Sequence, residues 1–289
     1  MKPAPFEYLA PATIAETVAA LAQHGDDAKV LAGGQSLVPM LNLRLARPAV
    51  LVDINGVAEL DSLREADGRV HIGALRRQAG VERWAGTRLP LMAEALRAVG
   101  HAAIRNRGTV AGSVAHADPA SELPALLLCL DGAAVARGAA GERVIPAGEL
   151  FRAPLTTTVR PDELVTEVRF SQPRPDAGWG FAEVARRHGD FALVGAAALL
   201  WLDDGGRVAG ARLALFGVGG TPLRGAAAET LLTGQAPSAE RIREAARAAA
   251  AVLRPDGDLH ASARYRSEVA AVLAERTLTA ALGRCRRAA

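Results

Sequence analysis

Two short runs of small residues carry the chemistry that can be read from this sequence: Gly33-Gly34-Gln35-Ser36 and Thr109-Val110-Ala111-Gly112-Ser113. Glycine lets a backbone approach a ligand closely, and consecutive N–H groups in a turn or at a helix start form a concavity for an anion such as a pyrophosphate. Taken alone, Gly33 to Ser36 reads equally well as an ordinary strand-to-helix turn. It matches neither the GxGxxG nor the GxxxxGK[ST] fingerprint, so the common dinucleotide and P-loop classes are disfavoured. The second run sets the hydroxyls of Thr109 and Ser113 beside Gly112, where they can hold phosphate oxygens, and Glu122 follows at a helix start. A carboxylate there can accept hydrogen bonds from vicinal ribose hydroxyls, or it can simply compensate the helix N-terminus. Spacing leaves both open.

Other chemistry-bearing residues form no constellation. His101, His116 and His188 lack a metal-ligand spacing, Cys129 falls in an apolar helix and reads as core, and no GxSxG elbow occurs. Gly217-Val218-Gly219-Gly220 runs straight into Thr221-Pro222 and reads as a strand-end turn. The chain has two cysteines, Cys129 and Cys285. That number fits a reducing compartment and excludes both a disulfide scaffold and a four-thiolate iron–sulfur site made by this chain alone.

At 289 residues, half of them hydrophobic, the chain can bury a sizeable core and divide into two or three units. Its net charge of +3 is spread along the chain, which makes nucleic acid a weak expectation. Residues 1–12 do not resemble a secretory signal, and the longest apolar stretch, residues 191–202, is far short of the roughly 20 residues of a membrane span. The expectation is a soluble, cytoplasmic protein with no membrane span.

The loops need elements to hold them. Thr13 and Glu16 predict a capping box opening a helix that Gly25 closes. Residues 29–32 read as a buried strand entering the first loop, Ser36 as the cap of a helix over 37–45, and residues 50–54 as the next strand. A strand over 69–74 leads to helices around 78–84 and 91–99. Residues 105–113 read as a loop, too small and polar for core, before an apolar helix over 122–130. A hairpin over 133–145 and a strand over 163–170 precede Pro173 and Pro175, where a domain boundary is expected. Beyond it come strands over 180–187, 193–201 and 207–218, then alanine-rich helices over 226–232, 239–253 and 263–282.

Three segments make the pattern recognisable: Leu31-Ala32-Gly33-Gly34-Gln35-Ser36-Leu37, Ile104-Arg105-Asn106-Arg107-Gly108-Thr109-Val110-Ala111-Gly112-Ser113, and Asp118-Pro119-Ala120-Ser121-Glu122-Leu123-Pro124. They resemble the FAD-binding medium subunit of molybdenum hydroxylases, the family of the flavoprotein subunits of aerobic carbon monoxide dehydrogenase and xanthine dehydrogenase. The resemblance extends to Gly189-Asp190-Phe191 and to the helix carrying Tyr265-Arg266, and so spans nearly the whole chain.

The resemblance implies an α+β protein: a two-part FAD-binding domain of the vanillyl-alcohol-oxidase/PCMH type, with subdomains over 1–57 and 58–173, followed by a C-terminal α+β domain of antiparallel strands and helices over 177–287. Carried over by position, Ala32, Gly33, Gly34, Gln35 and Ser36 would face the FAD pyrophosphate from one side and Thr109, Ala111, Gly112 and Ser113 from the other. Glu122 matches the acidic residue at the ribose, Gly73 and Ala74 a strand end close to the flavin, and Phe191 an aromatic position beside the isoalloxazine. Gln35 stands where many relatives have histidine, Ala111 and Ser113 where Gly and Asn are usual, and Arg76-Arg77 where a Thr pair is common.

The implied function is that of an electron-transfer flavoprotein subunit in a heterotrimer. A large subunit with the molybdenum cofactor would oxidise substrate, a small subunit would carry 2Fe-2S centres, and FAD here would pass electrons to NAD, a quinone or another acceptor. No residue of this chain is then needed as a catalytic acid or base, and no metal is expected on it. The rival readings are a self-contained flavin-dependent oxidoreductase and a non-catalytic nucleotide-binding scaffold.

Overall fold

Short apolar runs alternating with helices wind a small parallel sheet at the start of the chain, because parallel neighbours need a crossover and the helices supply it. In the computed structural model, which describes residues 2–285, strands β1 (Glu7–Leu9), β2 (Ala28–Leu31) and β3 (Val50–Asp53) form this sheet in the order β1-β3-β2. Residue 1 and residues 286–287 of the expected domains lie outside that range. Helix α1 (Ile14–His24) has the full capping box: the Glu16 amide donates to Thr13 Oγ1 at 3.1 Å and the Thr13 amide to Glu16 Oε2 at 3.2 Å. Helix α2 (Leu37–Asn42) is shorter than the expected 37–45, and Ser36 does not cap it through its side chain. Ser36 is itself in the helical region, and the chain leaves the helix at Arg44, whose φ is +59°. Strand β1, at 3 residues, is too short to show an alternating pattern in the sequence.

The second unit is a five-stranded antiparallel sheet in the order β4-β5-β10-β6-β7, made by β4 (Leu63–Ala66), β5 (Arg69–Gly73), β6 (Ala133–Gly138), β7 (Gly141–Pro146) and β10 (Leu164–Ser171). A small hairpin, β8 (Phe151–Ala153) and β9 (Thr156–Thr157), follows the single turn α8 (Ala147–Leu150). Five helices fill the β5–β6 connection: α3 (Gln78–Arg88), α4 (Pro90–Ala98), α5 (Ala102–Arg107), α6 (Val110–His116) and α7 (Glu122–Cys129). Residues 105–113 are therefore not a loop. They are the end of α5 and the start of α6, meeting at Gly108-Thr109. The helical character was hidden by Gly and Ser, which are poor helix formers, and it is restored by Thr109, whose side chain caps α6.

The third unit is a four-stranded antiparallel sheet, β11 (Gly178–Ala185), β12 (Ala192–Leu202), β13 (Val208–Phe216) and β14 (Leu223–Arg224), followed by α9 (Ala226–Leu232), α10 (Ala239–Ala251) and α11 (Ala263–Arg284). Strand β12 explains the long apolar stretch. Ala196, Ala198 and Leu200 pack into the core under the C-terminal helices, while Ala197 and Leu199 point to the core shared with the first two units. A strand covered on both faces has no polar side to alternate with. Helix α7 is apolar all round for the same reason, lodged against β12 and β13 on one side and α4 and α6 on others. Among the described residues no helix is long and apolar enough to cross a membrane.

Candidate functional site

A cavity of about 770 Å³ opens where the three units meet, within the size range of small-molecule sites. Strand β2 delivers the first glycine run to its wall. Gly34 turns the chain with φ +73°, a conformation that favours glycine, and Val38 then donates to the Gly34 carbonyl at 3.0 Å as α2 begins. Among the described residues, the amides of Gly34, Gln35 and Ser36 donate to no carbonyl or side chain. The Gln35 side chain is turned back onto the Gly33 carbonyl at 3.0 Å.

The second run reaches the same cavity from the other side, and the two touch. A Cβ on Gly33 would lie 2.6 Å from the Arg107 carbonyl oxygen and 2.8 Å from the Gly108 Cα, so only glycine allows this approach. Thr109 Oγ1 accepts from the Gly112 amide at 3.0 Å and the Thr109 carbonyl from the Ser113 amide at 3.2 Å, which leaves the Ala111 amide without an acceptor among the described residues. The Thr109 hydroxyl oxygen is thus engaged as a helix cap. Ala111 is helical, outside the positive-φ residues, so the extra methyl relative to glycine brings no strain.

Glu122 opens α7 at the cavity wall and is 6% exposed. A helix N-terminus normally favours a carboxylate. Burial here outweighs it and, with Glu183 and Asp118 nearby, pushes the Glu122 carboxyl up to about 8 despite a bond from its own amide. Burial likewise pushes Glu183, on β11, up to about 7, and its Oε2 is buried with no hydrogen-bond partner. A buried carboxyl with no basic partner is suited to accepting neutral O–H donors.

The sequence matches two family models in succession. Residues 4–173 match the FAD binding domain in molybdopterin dehydrogenase, and residues 179–281 match the CO dehydrogenase flavoprotein C-terminal domain. The chain belongs to the FAD-binding medium subunits of molybdenum hydroxylases. It is an oxidoreductase flavoprotein subunit of that family. It is 43% identical to the 6-hydroxypseudooxynicotine dehydrogenase complex subunit alpha of Paenarthrobacter nicotinovorans, over 99% of this chain and 97% of that protein. It is 38% identical to the carbon monoxide dehydrogenase medium chain of Hydrogenophaga pseudoflava, over 99% and 100%. A solved carbon monoxide dehydrogenase from the same organism, lacking the Mo-pyranopterin moiety of its cofactor, superposes with a TM-score of 0.96 at 39% identity, covering 99% of this chain and 100% of that one.

For a medium subunit of this family the cavity gathers nearly all the expected residues: Ala32 to Ser36, Ala74, Thr109, Ala111, Gly112, Ser113, Glu122 and Phe191 line it. Gly73 does not. Its amide donates to Ser62, and a Cβ there would lie 2.2 Å from the Leu60 carbonyl oxygen, so it serves the packing of the strand end. Ala74 is buried and its amide is spent on Thr166, which leaves it only an apolar surface. Phe191 is 69% exposed, just before β12. The medium subunit also places residues here that the sequence did not announce. Arg186 and His260 line the cavity and lie 3.3 Å apart between Nη1 and Nδ1, and Gln78 and Leu155 also line it. No sequence signal singled out Arg186 or His260.

Proposed function

We propose that this chain holds FAD in the cavity between Gly33–Ser36 and Thr109–Ser113 and relays electrons from iron–sulfur centres on a small partner subunit to NAD, a quinone or another acceptor, in a cytoplasmic complex whose large subunit carries the molybdenum cofactor. The observation that carries the reading is the convergence of two chain segments with unspent backbone amides on one cavity, with Gly33 in contact with Arg107 and Gly108. Bound there, FAD supplies the redox chemistry, and the protein supplies binding, orientation and electrostatics. The amides of Gly34, Gln35, Ser36 and Ala111 are the donors for pyrophosphate oxygens, and Glu122 is the acceptor for ribose hydroxyls. Phe191 stands at the mouth, where a ring limits solvent access to a flavin.

Partner chemistry is supported by what this chain lacks the ligands to do. Cys129 is buried in α7, its thiol pushed up to about 12 by burial, and Cys285 is the only other cysteine. Two such thiols cannot hold an iron–sulfur cluster. The Paenarthrobacter relative is by name one subunit of a dehydrogenase complex.

The test is the flavin content of the purified chain, which is expected to be yellow and to release one FAD per chain on denaturation. A colourless preparation that cannot be reconstituted supports a scaffold instead. Turnover of a small organic substrate by the chain alone supports a self-contained flavoenzyme.

A further inference from the structure

We infer that Arg77 is a positioning residue that ties the two FAD-facing segments together and thereby sets how long FAD stays bound; this deepens the FAD-binding reading and rests on it. The main chain around Arg77 is built into the second segment. Gln78 donates from its amide to the Gly108 carbonyl at 2.9 Å, Val110 donates to the Arg76 carbonyl at 3.4 Å, and Arg77 and Thr109 pair as an isolated antiparallel bridge.

From that base the guanidinium forks in two directions. Nη1 donates to the Arg107 carbonyl at 2.6 Å, and Nη2 to Asn55 Oδ1 at 2.6 Å. Asn55, just after β3 in the first unit, passes the link on: its Nδ2 donates to the Ala32 carbonyl at 2.9 Å. The chain of bonds therefore runs from the carbonyl before Gly108 to the carbonyl before Gly33. The Arg107 oxygen it holds is the same atom that faces the Gly33 α-carbon. Asn55 is itself fixed from behind by Asp53, whose Oδ1 accepts from its amide at 2.9 Å and whose Oδ2 accepts from the Tyr8 hydroxyl at 2.5 Å.

Arginine suits this place because its planar fork can satisfy two acceptors at a fixed angle, and both bonds are charge-assisted. A lysine ammonium is a single point on a flexible stem. Neighbouring Arg76 turns away to Asp61, at 3.3 Å on the surface, and takes no part. Because Asn55 and Arg77 act in series, removing either opens the link, and removing both opens it no further.

The experiment measures FAD dissociation from the full-length chain, as the flavin captured over time by an excess of trapping apoprotein. Arg77→Ala and Asn55→Ala are each expected to speed release about tenfold or more, the double variant to release no faster than the faster single one, and Arg77→Lys not to restore retention. Arg76→Ala is the control and should stay within about twofold of the parent. Asn55→Ala removes only a surface amide, so it reads the link even where Arg77→Ala fails to fold. Parental release rates in Arg77→Ala and Asn55→Ala, or effects that multiply in the double variant, overturn the inference while leaving FAD binding intact. Failure of the parent chain to take up FAD overturns both.

Discussion

Arg143 grips Glu163 through a pair of parallel contacts, Nε to Oε1 and Nη2 to Oε2, each 2.7 Å long, although the Glu163 side chain is only 1% exposed. Arg160 adds its amide at 2.7 Å and a guanidinium contact at 2.8 Å. Glu163 immediately precedes β10 and lines the cavity, while Arg143 reaches it from β7. The Arg143 hydrogen bonds hold the Glu163 carboxyl at about 2, against the cost of its burial.

Such a lowered carboxyl stabilises the fold above its unfolded value of about 4.5, and the contribution is lost as pH falls toward 2. Arg143→Ala is expected to cost about 2 kcal/mol at pH 7, less than a fully buried pair because Arg160 remains and Arg143 is partly in water. Urea unfolding at pH 7 and pH 3 checks this: the difference between parent and variant should shrink at the lower pH.

Gly33→Ala places a methyl against a main-chain oxygen that cannot swing aside. The expected result is FAD affinity at least tenfold weaker, with a stability loss of about 1–3 kcal/mol typical of forced overpacking. Equilibrium titration followed by flavin fluorescence decides it. Parental affinity would show that the two segments do not have to meet to hold the cofactor.

The raised Glu122 carboxyl works in the opposite sense to Glu163. Its contribution is complete below about pH 4.5 and is lost as pH rises through about 8, so the flavin-free protein should weaken over that interval. Glu122→Gln is expected to flatten that decline, seen as a thermal midpoint that no longer falls between pH 5 and 9. Hydroxyl donors on a bound ligand favour the ionised form. FAD uptake near neutral pH should accordingly release protons, measurable by calorimetry in buffers of different ionisation enthalpy, and Glu122→Gln should abolish the release.

Phe191→Ala removes an exposed ring that adds little to packing, so stability should change by no more than about 0.5 kcal/mol. Its expected effect is on access: reoxidation of the reduced flavin by dissolved oxygen should become severalfold faster in stopped flow. An unchanged rate would place the flavin away from this ring.

The α+β character, the order of most strands and helices and the two small-residue segments were legible in the sequence, because they depend on local signals: the Thr13–Glu16 capping box, the apolar run into Gly33-Gly34, the hairpin pattern over 133–145. Residues 105–113 were misread for a local reason too. Gly, Ser and Thr argue against a helix until Thr109 is seen to cap one.

What no linear reading supplies is distance. That Gly33 meets Arg107, that Arg77 reaches Asn55 in the first unit, and that burial beside Glu183 overrides the helix field at Glu122 all depend on elements far apart in the chain being packed together. Residue types and spacing determined what each segment could bind; only the fold decided which segments share a cavity, because close contact and desolvation exist only once the three units are assembled.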